Sequence, residues 1–395
     1  MDAMITSAPR TEHTGDRVRV IADVSGRAPL WFAVDEVHAP LLGDRADHVA
    51  IGLLMTAMKE GRDLHVGGTM TDSLLHQMNG DLQRLLALVH PGLHRIRVAA
   101  DETAPPAAPA PGVAAGFSGG VDSFATLAEY HWADDVAPSL RLTHLLNNSV
   151  GAHGRDGDAL WRARCAPLAR AAAEIGLPFL TVDSNLDEHY PRIGFIQSVT
   201  MRNATVPHLL GAGIGRLHLS SAVAFPDVRL DEKIEIINVM LVPLLSTTAV
   251  TIGSAGSGLT RVEKTLALVG RPEARYLDVC TDDDPERVRN CSACPKCVRT
   301  MLTLEMAGHL HEFVPATFAL EPYFAHRDAY IAKALVSDDA FDREIREYAA
   351  RIGWHWTASD RARSVVARAR AAGAQLRRAA SRNPVARAAW RALHR

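Results

Sequence analysis

Two short stretches carry residue types that do chemistry. The first, Ser118-Gly119-Gly120-Val121-Asp122-Ser123, follows an apolar run at 113–117 and opens a helical period. Strand, glycine bend and helix together make an anion site. The glycines let the backbone approach an oxyanion without a Cβ in the way, while the helix amides and dipole face the ligand. Ser118 and Ser123 add hydroxyl donors. Asp122 makes sense beside phosphates if Mg2+ lies between them, or if it orients the loop. The second stretch holds Cys280, Cys291, Cys294 and Cys297, spaced C-x10-C-x2-C-x2-C. Four thiolates so placed close a tetrahedral site on Zn2+ with no open position, which makes the site structural. An iron–sulfur cluster is the rival occupant. Lys296 and Arg299 offset part of the thiolate charge.

The elements that must position these groups change character along the chain. Residues 1–100 read as a small α+β domain, with strands at 18–24, 30–34 and 64–66, helices at 46–58 and 73–89, and a last strand from 93. A Pro/Ala-rich linker follows at 101–112, too proline-dense for a helix or central strand. From 113 to 275, strands at 113–117, 142–147, 179–183, 217–221 and 250–253 alternate with helical periods at 121–132, 158–175 and 196–210. That alternation predicts an α/β domain: a parallel five-stranded sheet with helices on both faces and ligands at the carboxyl ends of its strands. Residues 276–359 form the four-cysteine metal site and a helical region, and 360–395 a basic tail.

SGGVDS resembles the PP-loop of the ATP pyrophosphatase superfamily, over roughly residues 113–300. The resemblance implies a HUP, Rossmann-like fold and a loop that holds the pyrophosphate of ATP while a substrate oxygen attacks the α-phosphorus. With the four cysteines added, the chain is similar to the 7-cyano-7-deazaguanine synthase family, whose reaction turns a carboxylate into a nitrile. MRNATVPHLLGAGIGRLHLSS (201–221) and LTRVEKTLALVG (259–270) resemble segments of that family. Carried over, Ser118 to Ser123 with Asn148 and Asn203 bind the nucleotide, and Asp122, Arg202 and Lys264 are catalytic. ATP, Mg2+ and Zn2+ are the implied cofactors. The chain departs from the family after the fourth strand, where SSAVAFPDVRLDE lacks the expected glycine- and tyrosine-rich stretch and only Asp227 stands in for an acidic substrate contact. The expectation is therefore an amide- or nitrile-forming ligase with a different small-molecule acceptor, in a homo-oligomer. ATP-dependent thiolation of tRNA or a small molecule using Cys165, or a non-catalytic nucleotide-binding module, are the alternatives.

The chain has 395 residues, 47% of them apolar, enough for a large core without disulfide staples. A formal net charge of −2 excludes a polycation, yet it hides an asymmetry. Residues 360–395 hold ten Arg, no Lys and one acid, a net of +9 that leaves 1–359 at −11. The tail reads as a solvated surface helix, with RNA phosphates, an anionic membrane or an acidic partner as further possibilities; it contains Trp390 and few other aromatics. No cationic-then-apolar leader opens the chain, and the uncharged stretch 236–260 is interrupted by Pro243 and three glycines. The reading is a cytoplasmic protein without a membrane span. Asn147 and Asn148 close the second strand, where turn chemistry competes with a nucleotide role. Asp183 and Asn185 close the third, as turn caps or ribose contacts. Cys165 lies in a helical run and reads as an inert thiol; His144, His153, His189, His208 and His218 show no ligand spacing and read as core or surface residues.

Overall fold

The computed structural model describes residues 2–154, 157–281 and 290–382. The first elements are β1 (Met4–Ile5), β2 (Arg10–Thr14), β3 (Arg17–Ala22) and β4 (Leu30–Asp35). Gly15, at φ +63°, makes the two-residue turn of the β2–β3 hairpin, a conformation glycine adopts without strain. On β3, Val18 and Val20 are buried while Arg19 between them is exposed, the period-two signature of a half-buried strand. Then come α1 (Asp47–Glu60), β5 (Leu64–Thr71), α2 (Asp72–Asn79), α3 (Asp81–Val89) and β6 (Val98–Ala104). The single helix expected at 73–89 is two helices. Gly80, at φ −114° and ψ −118°, takes a backbone shape no helix accommodates. β1, β5 and β6 form a parallel three-stranded sheet, so the strand expected from 93 begins later and runs into the proline-rich segment.

The alternating part follows as β7 (Gly112–Gly116), α4 (Val121–Leu127) with a π-helical continuation Ala128–Trp132, β8 (His144–Asn148), α5 (Asp158–Ile175) and β9 (Phe179–Ser184). After these come α6 (Val199–Leu209), β10 (Ile214–Ser220), the short α7 (Asn238–Leu241), β11 (Thr251–Ala255) and α8 (Arg261–Leu266). β11, β10, β7, β8 and β9 pair in parallel in that order. The sheet does not stop at five strands. β4 pairs antiparallel with β9 through Phe32–Ser184 and Ala33–Asp183, and β3 and β2 extend the sheet to eight strands.

That pairing corrects the expected domain boundary at 101–112. Among the described residues, 2–278 form one compact unit. Its core is continuous from Met4 and Leu30 through Ala114 and Leu146 to Ile252. α1 lies inside it, with every residue from Asp47 to Met58 buried. A Cβ added at Gly52 would stand 3.2 Å from Leu186, 3.5 Å from Thr205 and 3.6 Å from Leu30, so α1 is wedged among elements from both parts of the sequence. An element buried on all sides shows no single apolar stripe, which is why it read as a separate small domain.

The second unit comprises, among the described residues, 279–281 and 290–382. Its described elements are α9 (Pro295–Met306), α10 (Leu320–Ala334), α11 (Ala340–Arg351) and α12 (Ala358–Arg382). The Arg327 fork on α10 grips Glu305 on α9 at 2.7 and 2.9 Å, a bidentate pair. Trp390 and the rest of the tail beyond 382 lie outside the described residues. Among the described residues, no helix is long and apolar enough to cross a membrane.

Candidate functional site

The loop after β7 occupies a topologically special place. β7 has β8 on one side and β10 on the other, so the strand order reverses here and a crevice opens at the carboxyl ends of the strands. Gly119 sits at φ +76°, and a Cβ there would come within 2.8 Å of Leu168 and 3.4 Å of the Tyr276 carbonyl. Its carbonyl accepts from the Asp278 amide at 2.7 Å. Only glycine fits this bend. Gly120 precedes the first residue of α4, Val121, which is buried and offers the loop only its amide. Ser118 is exposed, its hydroxyl accepting from the Gly120 amide at 3.4 Å. The Ser123 hydroxyl, expected to face a ligand, is buried and donates to the Gly120 carbonyl at 2.8 Å, locking the first helical turn.

Asp122 is the hub. Arg261 donates to one carboxylate oxygen at 2.7 Å and Lys264 to the other at 3.1 Å. Burial pushes the Asp122 carboxyl up, but these two cations outweigh it and hold the group below its ordinary value. Lys264 is 1% exposed and also donates to the Ser221 carbonyl at 2.7 Å and hydroxyl at 2.9 Å, just past the end of β10. Both cations ride on α8. Its start is fixed by a reciprocal cap: the Glu263 amide donates to the Thr260 hydroxyl at 3.2 Å, and the Glu263 carboxylate accepts from the Thr260 amide at 2.8 Å. Arg261 and Lys264, three apart, then share a face. Two cations on one carboxylate leave the trio with a net positive charge beside the glycine bend. Asp122 therefore orients cations here; it does not stand as an open metal ligand.

Arg202 and the asparagines lie elsewhere on the carboxyl edge. Arg202 is 1% exposed and donates to the Ser198 hydroxyl at 2.7 Å, the Val150 carbonyl at 2.9 Å and Asp187 at 2.7 Å, with its guanidinium 4.1 Å over the Tyr190 ring. None of these partners belongs to the 118–123 loop, and Arg202 holds Asp187 and the Val150 backbone in place. The Asn148 amide donates to Asn203 at 3.2 Å, and Asn203 donates to the Val199 carbonyl at 2.9 Å, so these two residues meet each other. Asn147 braces the root of the loop by donating to the Phe117 carbonyl at 2.9 Å. Beyond β8 and β9 a cavity of about 600 Å3 is lined by Ser149, Gly151, Ser184, Asn185, Asp187 and Glu188, among others. Arg202 holds its Asp187 wall.

Cys165 lines a smaller cavity of about 380 Å3 with Asp183, and burial, then the charge of Asp183, pushes its thiol up to about 11. Such a thiol is a poor nucleophile at neutral pH. His189, His208 and His218 are core groups, and His144 and His153 are half-buried; burial lowers His189 and His218 to about 4, and His218 bonds to the Leu140 carbonyl at 3.0 Å.

In the second unit, the sulfurs of Cys280, Cys291, Cys294 and Cys297 all lie within 4.8 Å of one another. A tetrahedron with metal–sulfur bonds of about 2.3 Å places its sulfurs about 3.8 Å apart. The Cys291 and Cys297 sulfurs are 3.9 Å apart, so the donor set fits a single ion such as zinc. Local chemistry shapes it. Ser292 takes φ +58°, turning the chain so that the Cys294 amide donates to the Cys291 sulfur at 3.2 Å. Cys294 caps α9 and Pro295 begins it, where a missing amide proton costs nothing. The Cys291 amide donates to the Cys280 sulfur at 3.4 Å, and the Asn290 side chain accepts from the Val279 amide at 2.9 Å, pinning the distant cysteine's segment beside the knuckle.

Sequence reasoning did not single out Arg261, Asn290 or Ser292. Arg261 lies three residues before Lys264 in LTRVEKTLALVG, and that spacing was the available signal. Comparison of the chain with protein-family models, with curated proteins and with solved structures yields no match.

Proposed function

We propose that this chain is a PP-loop ATP pyrophosphatase that adenylates an oxygen of a small-molecule carboxylate or amide and passes the activated carbon to ammonia or an amine. The observation that carries the reading is the Asp122–Arg261–Lys264 trio beside a glycine bend at the switch point of a parallel sheet. The acceptor oxygen attacks the α-phosphorus, the bond to the bridging oxygen breaks and pyrophosphate leaves. The nitrogen then attacks the acyl carbon, whose bond to the AMP oxygen breaks. Exposed Ser118 and the loop amides bind the outer phosphates. Lys264 and Arg261, preoriented by Asp122, stabilise the charge that grows on the departing pyrophosphate, where phosphoryl chemistry gains most. The cavity beyond β8 and β9, on the same edge, is of a size for a small acceptor.

Mg2+ would supply charge neutralisation on the phosphates in this reading; both Asp122 oxygens already accept from cations. The cysteine cluster is a structural zinc site, since four protein thiolates complete its coordination and leave no place for substrate. Cys165 does not favour sulfur transfer, given its raised thiol. The test is exchange of radiolabelled pyrophosphate into ATP across a pool of carboxylates and amides. Exchange that Lys264→Met abolishes is expected. Formation of ADP and orthophosphate, or exchange unchanged in Lys264→Met, would overturn the proposal.

A further inference from the structure

We propose that α12 docks the protein on an anionic phospholipid surface. The helix meets the rest of its unit through a narrow polar and small face: Asp360 is buried, with Ser364 and Ala367 half-buried one and two turns on. The Asp360 carboxylate accepts from the Thr357 amide at 2.9 Å, and Arg363 pairs with Asp328 on α10, which fixes the helix's rotation. The opposite side is therefore outward. At helical spacing it presents Ala362, Val365, Val366 and Ala369, all exposed, with the valines at 69% and 50%. Arg361 and Arg368 flank this stripe on one side, and Arg363 and Arg370 on the other.

An aliphatic stripe between two rows of arginine suits the boundary of a bilayer. The valines enter the acyl region, the arginine stems lie along it and their guanidinium groups reach lipid phosphates and carboxylates. Single-stranded nucleic acid would use the arginines but has no partner for exposed valines, since bases stack on aromatic rings. A second copy of the same helix would bring arginine rows against each other. Charge and stripe together favour lipid, and the binding is independent of the proposed catalysis.

Flotation of the full chain with phosphatidylcholine vesicles, with and without roughly a third phosphatidylserine, tests this. Co-flotation with the anionic vesicles only is expected, weakening as salt rises. Val365→Asp with Val366→Asp should reduce the bound fraction about tenfold, as should Arg361→Glu with Arg368→Glu. All four residues are exposed, so thermal melting should not change. No flotation, flotation equal on neutral vesicles, or binding that survives the valine pair would overturn the proposal. So would capture of a uridine oligonucleotide by a chain that ignores vesicles.

Discussion

Replacing Asp122 with Asn should unsettle the trio in a way that a polyanion repairs. Asp122 accepts from Arg261 at 2.7 Å and Lys264 at 3.1 Å, and the Lys264 side chain is only 2% exposed. An amide keeps one acceptor oxygen but no charge, so both cations lose their counter-charge and one of them faces an NH2 group. Removing one member of a buried pair costs about 3–5 kcal/mol. The Asp122 side chain is 29% exposed and water screens part of the loss, so about 2–3 kcal/mol is expected. Urea unfolding of wild type and Asp122→Asn reads the difference directly. Pyrophosphate should then restore the variant, because a ligand bound only by the folded form adds about 2.7 kcal/mol at a hundredfold excess over its Kd. The pH dependence carries the same sign. A carboxyl held below its ordinary 3.8 stabilises the fold above that value, and the contribution fades as pH falls through the lower folded value. Asp122→Asn should lack that slope. An unchanged urea midpoint, or pyrophosphate that stabilises neither protein, would refute the account of the trio.

Gly119→Ala should lower stability by about 1–3 kcal/mol, since φ is +76° and the new methyl meets Leu168 at 2.8 Å, whereas Gly116→Ala, with nothing within 4 Å, should be close to neutral in the same urea titration. Metal analysis should find a single zinc per chain, and Cys294→Ser should lose it and lower the melting temperature of the second unit; several irons per chain with visible absorbance would contradict the single-ion geometry. Cys165, with its thiol raised to about 11, should react with iodoacetamide far more slowly than a free thiol at pH 8, and Cys165→Ser should leave pyrophosphate exchange unchanged.

What was legible in the sequence was local. SGGVDS announces its glycine bend and helix start, and the close triplet Cys291, Cys294 and Cys297 its cluster, within a few residues, because bend, helix start and ligand spacing are short-range matters. The helix at Asp158–Ile175 shows the same legibility. What escaped depends on pairing at a distance. Arg261 reaches Asp122 across 139 residues, and only the order of β7, β10 and β11 brings α8 over the loop. Arg202 was read as catalytic, and its burial against Val150 and Asp187 could not be read from its own segment because Val150 lies 52 residues away. The β4–β9 pairing was invisible because a strand's second neighbour leaves no mark in its own sequence, and that pairing makes one unit of what composition divided at the proline-rich segment.

The same pairing has a consequence for biosynthesis. The hairpin of β3 and β4 leaves the ribosome with one edge of β4 bare, and its partner β9 is synthesised about 150 residues later. At about 5–20 residues per second, that edge waits roughly 7–30 s. During the wait, its amide and carbonyl row is a template for any passing strand. A nascent chain of this kind is one that holdase chaperones would shelter, and slowing translation between the two strands should lower the yield of folded protein more than slowing it after β9.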